Sequence, residues 1–449
     1  MGTSARTAAR EPTNSEHAFR ILVLGDFGGE PGEAPVEIDP ELLEDAPGRM
    51  GAAIDLMVAG EPVSVRIESF EDFHPDSLYL ELPLFRALRG LRDRLEDPAT
   101  FAAAASELAA ATVASETEPT TATDLDALDM IVAAEEQKAN PRGRSTRGDP
   151  WKDVIRSIVA PHLEPRPDPR QKDLVAEVDE AASALMRSIL HDPGFQAVEA
   201  AWRSVDFLLR RVETGPDLTV HIVHAAGDDM VARLPELAKL DDWTLIVAIS
   251  AFVPDEPGVA RLTAAAAIAE HSGVPFLAAA SNPDDWTKER LPESFQALRT
   301  TAAARWVGLA APRFLLRLPY GKRTSASDYF AFEEMPGEPV HGDYLWANPA
   351  IGGACLLAQA FARDGWQMTP GSINRLTSMP VHVLGTGPDS TMTPCAEYWL
   401  TDIDAGRLLD CGVMPLVSLK KQDVVLWPWF SSLADPPAPL GGRWNTNLD

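Results

Sequence analysis

From residue 218 to residue 280 the chain alternates short apolar runs with helix-length ones, and this alternation most constrains what it can fold into. Residues 218–224 (LTVHIVH), 243–250 (WTLIVAIS) and 274–280 (VPFLAAA) are rich in β-formers. Between them lie a helical pattern over roughly 230–239, which contains Pro235, and an Ala-rich one over 257–272. A strand–helix–strand–helix–strand order favours α/β layering with parallel neighbours. A further run, 19–25 (FRILVLG), is continuously apolar rather than alternating, which marks a strand buried on both faces.

Other segments fix local structure. In 183–211, Leu185, Met186, Ile189 and Leu190 sit at helical spacing. His191-Asp192-Pro193-Gly194 then interrupts, because Pro and Gly disfavour a helix interior. Phe195, Val198, Trp202, Val205 and Leu209 resume the stripe on a second helix. Residues 63–70 (VSVRIESF) alternate, with Val63, Val65 and Ile67 on one side, and read as a half-buried strand. Phe73 and His74 lead into a helix with Pro75 at or near its first position. Leu84, Leu88, Leu91 and Leu95 stripe a further helix, and residues 99–114 are Ala-rich and helix-prone. Residues 312–319 (PRFLLRLP) form a strand or extended run ending at Tyr320-Gly321, and a helix follows near 350–364. Shorter β-like pieces fall at 380–385 and 412–418.

These elements divide the chain into a mobile tail (1–18), a first module (19–114), a linker with a helix at 124–139 (115–150), and a second module (151–449). Polar 115–123, Gly/Pro/Arg-rich 140–149 and the four prolines of 161–169 set the boundaries. The expected fold class is α/β (mixed α+β), with helix-flanked mixed sheets and the two modules packed as one protomer.

With 67 acidic and 39 basic residues the net charge is −28. That argues against nucleic acid as a main partner and against anionic membrane surfaces. It leaves either an acidic surface held apart by self-repulsion or a surface that meets a basic partner. Cys355, Cys395 and Cys411 have no C-x-x-C spacing and read as buried, reduced thiols of a cytoplasmic protein. No signal peptide and no run of spanning length is evident, so direct membrane insertion is not expected.

Few motifs in the chain carry chemistry. Gly25-Asp26-Phe27-Gly28-Gly29 follows a strand but fits neither phosphate-loop spacing, and reads as a strand-ending turn. His221 and His224 lie three apart on a strand, hence on opposite faces, and cannot share a metal there. There is no G-x-S-x-G elbow and no H-E-x-x-H. Glu333, Glu334 and Asp343 read as solvated or ion-paired acids. Trp202, Trp243, Trp306, Trp346 and Trp366 suit core and interface packing, since no basic groove accompanies them. Arg313 and Arg317 flank Phe314-Leu315-Leu316. Each either snorkels at an edge or holds an acid, within the chain or across a subunit contact. Arg317→Glu is expected to weaken assembly with little change in the fold of the single chain; unfolding of the single chain would mean that the pair lies within it. The interface or structural candidates are Phe73, Pro75, Phe195, Trp202, Arg313, Arg317, Tyr320 and Trp346. No catalytic, cofactor or metal residue is assigned.

Two stretches resemble two proteins of one apparatus. FRILVLGDFGG with VSVRIESFEDFHPDSLYLELPLFRALRGLRDRL resembles the small sheath subunit (TssB, or VipA, family) of bacterial type VI secretion systems. ILHDPGFQAVEAAWRSVDFLL, GVPFLAAAS, RWVGLAAPRFLLRLPYG, FAFEE, DYLWANPA and CGVMPLVSLKKQD resemble, in order, the large subunit (TssC, or VipB, family). The resemblance implies a natural fusion of both subunits and a non-enzymatic role. It implies a ring- or tube-forming homo-oligomer around an inner tube protein, ejecting that tube by contraction. Baseplate proteins and the recycling unfoldase are further implied partners; no cofactor is. Protomers would be tied by strand exchange, which is β-augmentation. Family members carry arms at both ends, and neither 1–18 nor LADPPAPLGGRWNTNLD resembles them. The alternative is therefore a non-polymerising cap or adaptor on the same scaffold.

Overall fold

The computed structural model describes residues 18–30, 34–58, 60–115, 168–385 and 390–445. The expected tail up to residue 17, the linker from residue 116 with its helix at 124–139, and the start of the second module up to 167 lie outside the described residues.

One seven-stranded sheet organises the chain. Its strands are β1 (Phe19–Gly25), β2 (Val36–Ile38), β5 (Leu218–His224), β6 (Leu245–Phe252), β7 (Phe276–Ala280), β8 (Val307–Ala311) and the edge segment Val413–Pro415. β3 (Ala53–Val58) and β4 (Glu61–Arg66) form a separate antiparallel hairpin. The order across the sheet is Val413–Pro415, β8, β7, β6, β1, β5, β2. All neighbours are parallel except β2, which runs antiparallel to β5. β1 lies between β5 and β6, so the first hundred residues and the later ones share one sheet.

β1 is apolar throughout except for Arg20 because both of its faces are covered. Phe19, Ile21 and Val23 join one core and Leu22 and Leu24 the other. The first core is closed by α5 (Gln171–Leu190), α6 (Pro193–Leu209) and α10 (Pro349–Asp364). The second is closed by α7 (Gly227–Leu240), α8 (Glu256–Ser272), α9 (Glu293–Arg299) and α11 (Asp402–Asp410). Arg20, the strand's one charge, is paired with Asp241.

The break between α5 and α6 follows from its residues. Pro193 occupies the first position of α6, and the Asp192 carboxylate caps it by accepting from the Gly194 and Phe195 amides at 2.8 and 3.2 Å. Likewise His74 caps α2 (Pro75–Glu81), its Nδ1 accepting from the Asp76 amide at 3.2 Å. α3 (Pro83–Glu96) and α4 (Phe101–Ser115) follow, and α1 (Ala46–Arg49) precedes them.

Several expectations need correction. The strand drawn over 63–70 ends at Arg66, because Asp72 Oδ2 accepts from the Glu68 and Ser69 amides and pulls 70–73 into a 3-10 turn. Its partner β3 was not foreseen. The buried stripe of α3 is Phe85, Leu88, Leu91 and Leu95, with Leu84 only half-buried. Of 312–319, only Phe314–Leu315 pairs as a strand, with Trp346–Ala347.

Trp202 is fully buried at the centre of the first core, edge-on to Phe27 and Phe70, and its Nε1 donates to the Phe27 carbonyl at 3.1 Å. Gly28, at φ 68°, turns the chain under this contact; a Cβ there would stand 2.9 Å from the Ala53 carbonyl oxygen. Trp202→Ala should destabilise the fold by about 3–5 kcal/mol, from lost burial and the cavity left behind. A urea denaturation midpoint equal to that of the unaltered chain would contradict this packing.

Candidate functional site

The most unusual feature of the fold is a group of charges removed from water. α6 carries Glu199 on its apolar face, beside Val198 and one turn from Phe195 and Trp202. Glu199 has no exposed surface and Glu334 is 1% exposed. Arg317 bridges them. It meets Glu199 through Nε and Nη2 at 2.7 and 3.2 Å, and Glu334 through Nη1 and Nη2 at 2.8 and 3.2 Å. Arg203, one helical turn beyond Glu199, donates Nε to its carboxylate at 2.7 Å and Nη2 to the Tyr320 hydroxyl at 2.9 Å. That hydroxyl donates to the Phe73 carbonyl at 3.4 Å, and the Tyr320 ring lies 4.2 Å beneath the Arg317 guanidinium. The Tyr320 amide donates to Glu334 at 2.6 Å. Two arginines and two glutamates thus balance, with bidentate geometry holding the planes together.

His191, at the end of α5, has Nε2 3.5 Å from Glu334 and Nδ1 3.5 Å from Asp343. Burial alone would push the Glu334 carboxyl up, but Arg317, His191 and the Tyr320 amide outweigh it and hold its pKa below the usual glutamate value. Burial alone would lower the Arg317 pKa, but Glu199, Glu334 and Tyr320 outweigh it and hold the guanidinium protonated. Burial is also the main reason that the Tyr320 hydroxyl titrates above its ordinary range.

Arg317, Tyr320 and the Phe73 carbonyl meet in this cluster, and Phe195 stands over it, its ring edge-on to Phe73 at 5.8 Å. Pro75 opens α2 next door. Trp202 lies on the same helix face as Glu199, in the core. Arg313 lies elsewhere, holding Glu397 at 2.6 and 2.9 Å together with His341. Burial would push Glu397 up, yet Arg313 and the contact with His341 hold its pKa low. Trp346 is buried in a short two-stranded ribbon, donating Nε1 to the His341 carbonyl. Both arginines therefore hold acids within the chain. Sequence reasoning missed Glu199, Arg203 and His191. The available signal was a glutamate sitting on the apolar stripe of α6, where an acid needs a partner.

Chemically, this arrangement holds segments together. α6, residues 317–320, the strap at 333–334 and Phe73 of the first hundred residues are tied at one point. Arg203, Arg317 and Tyr320 also floor an open cleft of about 1040 Å³. Among the described residues, no group of three or more His, Cys, Asp and Glu is arranged to hold a metal ion, and no helix is long and apolar enough to cross a membrane.

Comparison with known proteins assigns the scaffold. Residues 172–249 and 284–433, just over half of the chain, match VipB (EvpB/VC_A0108, tail sheath N-terminal domain). The chain belongs to this tail sheath family. It is 27% identical over 306 residues to the type VI secretion system sheath protein TssC1 of Pseudomonas aeruginosa, covering 59% of this chain and 61% of that one. The chain thus spans less than two thirds of that relative's length. A structure of the anti-feeding prophage baseplate is 16% identical over 53% of this chain and 51% of its own, with a TM-score of 0.32, and adds nothing to the fold. The family match covers α5, α6 and β5 and leaves β1 outside it.

Two outcomes follow from the cluster. Among the described residues, Arg317→Met removes the only arginine on buried Glu334, leaves Glu199 with Arg203 alone, and should destabilise the chain by about 3–5 kcal/mol, with Glu334→Gln in the same chain recovering part of the loss. A denaturation midpoint unchanged by Arg317→Met would show the cluster to be energetically idle. Because the folded pKa of Glu334 is depressed, its contribution is complete above the ordinary glutamate pKa of about 4.3 and is lost as pH falls through the lower folded value. Denaturation midpoints followed into acid should therefore fall less steeply in Glu334→Gln than in the unaltered chain; parallel profiles would contradict the assignment.

Proposed function

We propose that this chain is a structural subunit of a type VI secretion-like contractile sheath. It acts by associating with copies of itself around an inner tube and driving that tube out on contraction. The observation that carries the reading is the family match over 172–249 and 284–433. The inner tube, baseplate proteins, recycling unfoldase and cytoplasmic location belong to the same proposal. The energy for movement would come from exchanging one set of subunit contacts for a better one, and no bond chemistry is required of the chain.

The finer part of the reading is that the chain unites a small and a large sheath subunit, with residues 19–114 as the small one. β1 supports it. It comes from outside the matched residues and hydrogen-bonds on both sides to strands that begin inside them. A covalent join would fix the two parts at one to one and supply that strand in cis.

Electron microscopy and sedimentation of the full chain, expressed alone, test the proposal. Rings or tubes are expected at high concentration. Monomers alone in both low and high salt would contradict it, and single rings that never stack would indicate a cap rather than a sheath.

A further inference from the structure

The cleft above the ion cluster offers more than a window onto Arg203 and Arg317. Three carboxylates on its wall, Glu44, Glu71 and Asp328, have no ion pair among the described residues. Asp76 beside them is satisfied by the Ser327 hydroxyl and the Asp328 amide. Two large apolar side chains on the same wall face solvent, Leu80 at 38% and Tyr329 at 58% exposure. On the floor, Arg317 and Arg203 are neutralised by Glu199 and Glu334. The local field is therefore negative, and an anionic ligand is disfavoured despite the two arginines. A second copy of a chain whose net charge is −28 brings further long-range repulsion.

A cationic side chain, in contrast, gains three uncompensated partners at the wall and the exposed Tyr329 ring face. An apolar neighbour in the same segment would cover Leu80 and Tyr329. We propose that this cleft docks a basic, amphipathic segment of another protein, with arginine or lysine against Glu44, Glu71 and Asp328 and an apolar side chain against Leu80 and Tyr329. The inference does not depend on ring or tube formation.

The test is fluorescence anisotropy on the full chain, with a fluorescein-labelled peptide of alternating Leu-Leu and Arg-Arg pairs as probe. The double variant Glu71→Gln/Asp328→Asn should weaken binding about tenfold at moderate salt. Tyr329→Ser should weaken it about fivefold. Glu236→Gln/Glu289→Gln removes the same charge from exposed positions outside the cleft lining, one on α7 and one in the turn before α9, and should leave affinity unchanged. These residues are exposed, and melting curves matching the unaltered chain would establish that each variant folds. Equal weakening by the Glu236/Glu289 pair would reduce the effect to net charge and overturn the proposal. So would an unaffected Tyr329→Ser variant, an equal affinity for a peptide with Ser in place of Leu, or the absence of saturable binding.

Discussion

The fold depends on the backbone of β1. It pairs with β5 along its whole length and with β6 over Ile21–Leu24, and each of those strands would expose a row of unpaired N–H and C=O groups inside the molecule without it. Phe19, Ile21 and Val23 complete one core while Leu22 and Leu24 complete the other. A seven-residue strand near the start of the chain thus decides whether almost two hundred later positions can close around a continuous sheet. The hairpin of β3 and β4 adds to this dependence, since Ile54, Leu56 and Val58 belong to the same core as α5 and α6.

The ion cluster is a second tie of a different kind. Hydrophobic contact is non-directional, whereas two bidentate arginine–glutamate contacts accept one geometry. Replacing such a pair with apolar groups often costs little, so its value lies in fixing how α6, residues 317–320 and the strap meet rather than in net stability. The cluster sits where Phe73, from the first hundred residues, touches Tyr320, so it also fastens the two parts of the chain.

Much of this was legible in the residues. FRILVLG declared a doubly buried strand by its unbroken apolarity, and the alternation over 218–280 declared its parallel neighbours. The Asp192-Pro193-Gly194 break read correctly because capping and proline chemistry are local. What stayed hidden was non-local. Periodicity names strands without ordering them, so nothing placed β1 between β5 and β6. β3 carries Asp55 and Ala53 on its exposed face and an alternation too short to stand out. Glu199 resembles an ordinary surface partner of Arg203 four residues on, and its decisive partner, Arg317, lies 118 residues away. The open alternative for Arg317 was closed only by seeing both acids within the same chain.

The central claim is that the first hundred residues and the later ones form one cooperative unit through β1. Native-state hydrogen exchange tests it most directly, by comparing opening free energies of amides in β1 with those in β5 and β6 across a denaturant series. The account predicts that all three strands exchange through the same global opening and merge at one free energy. Exchange of β1 through a separate, lower-energy opening that leaves β5 and β6 protected would contradict it.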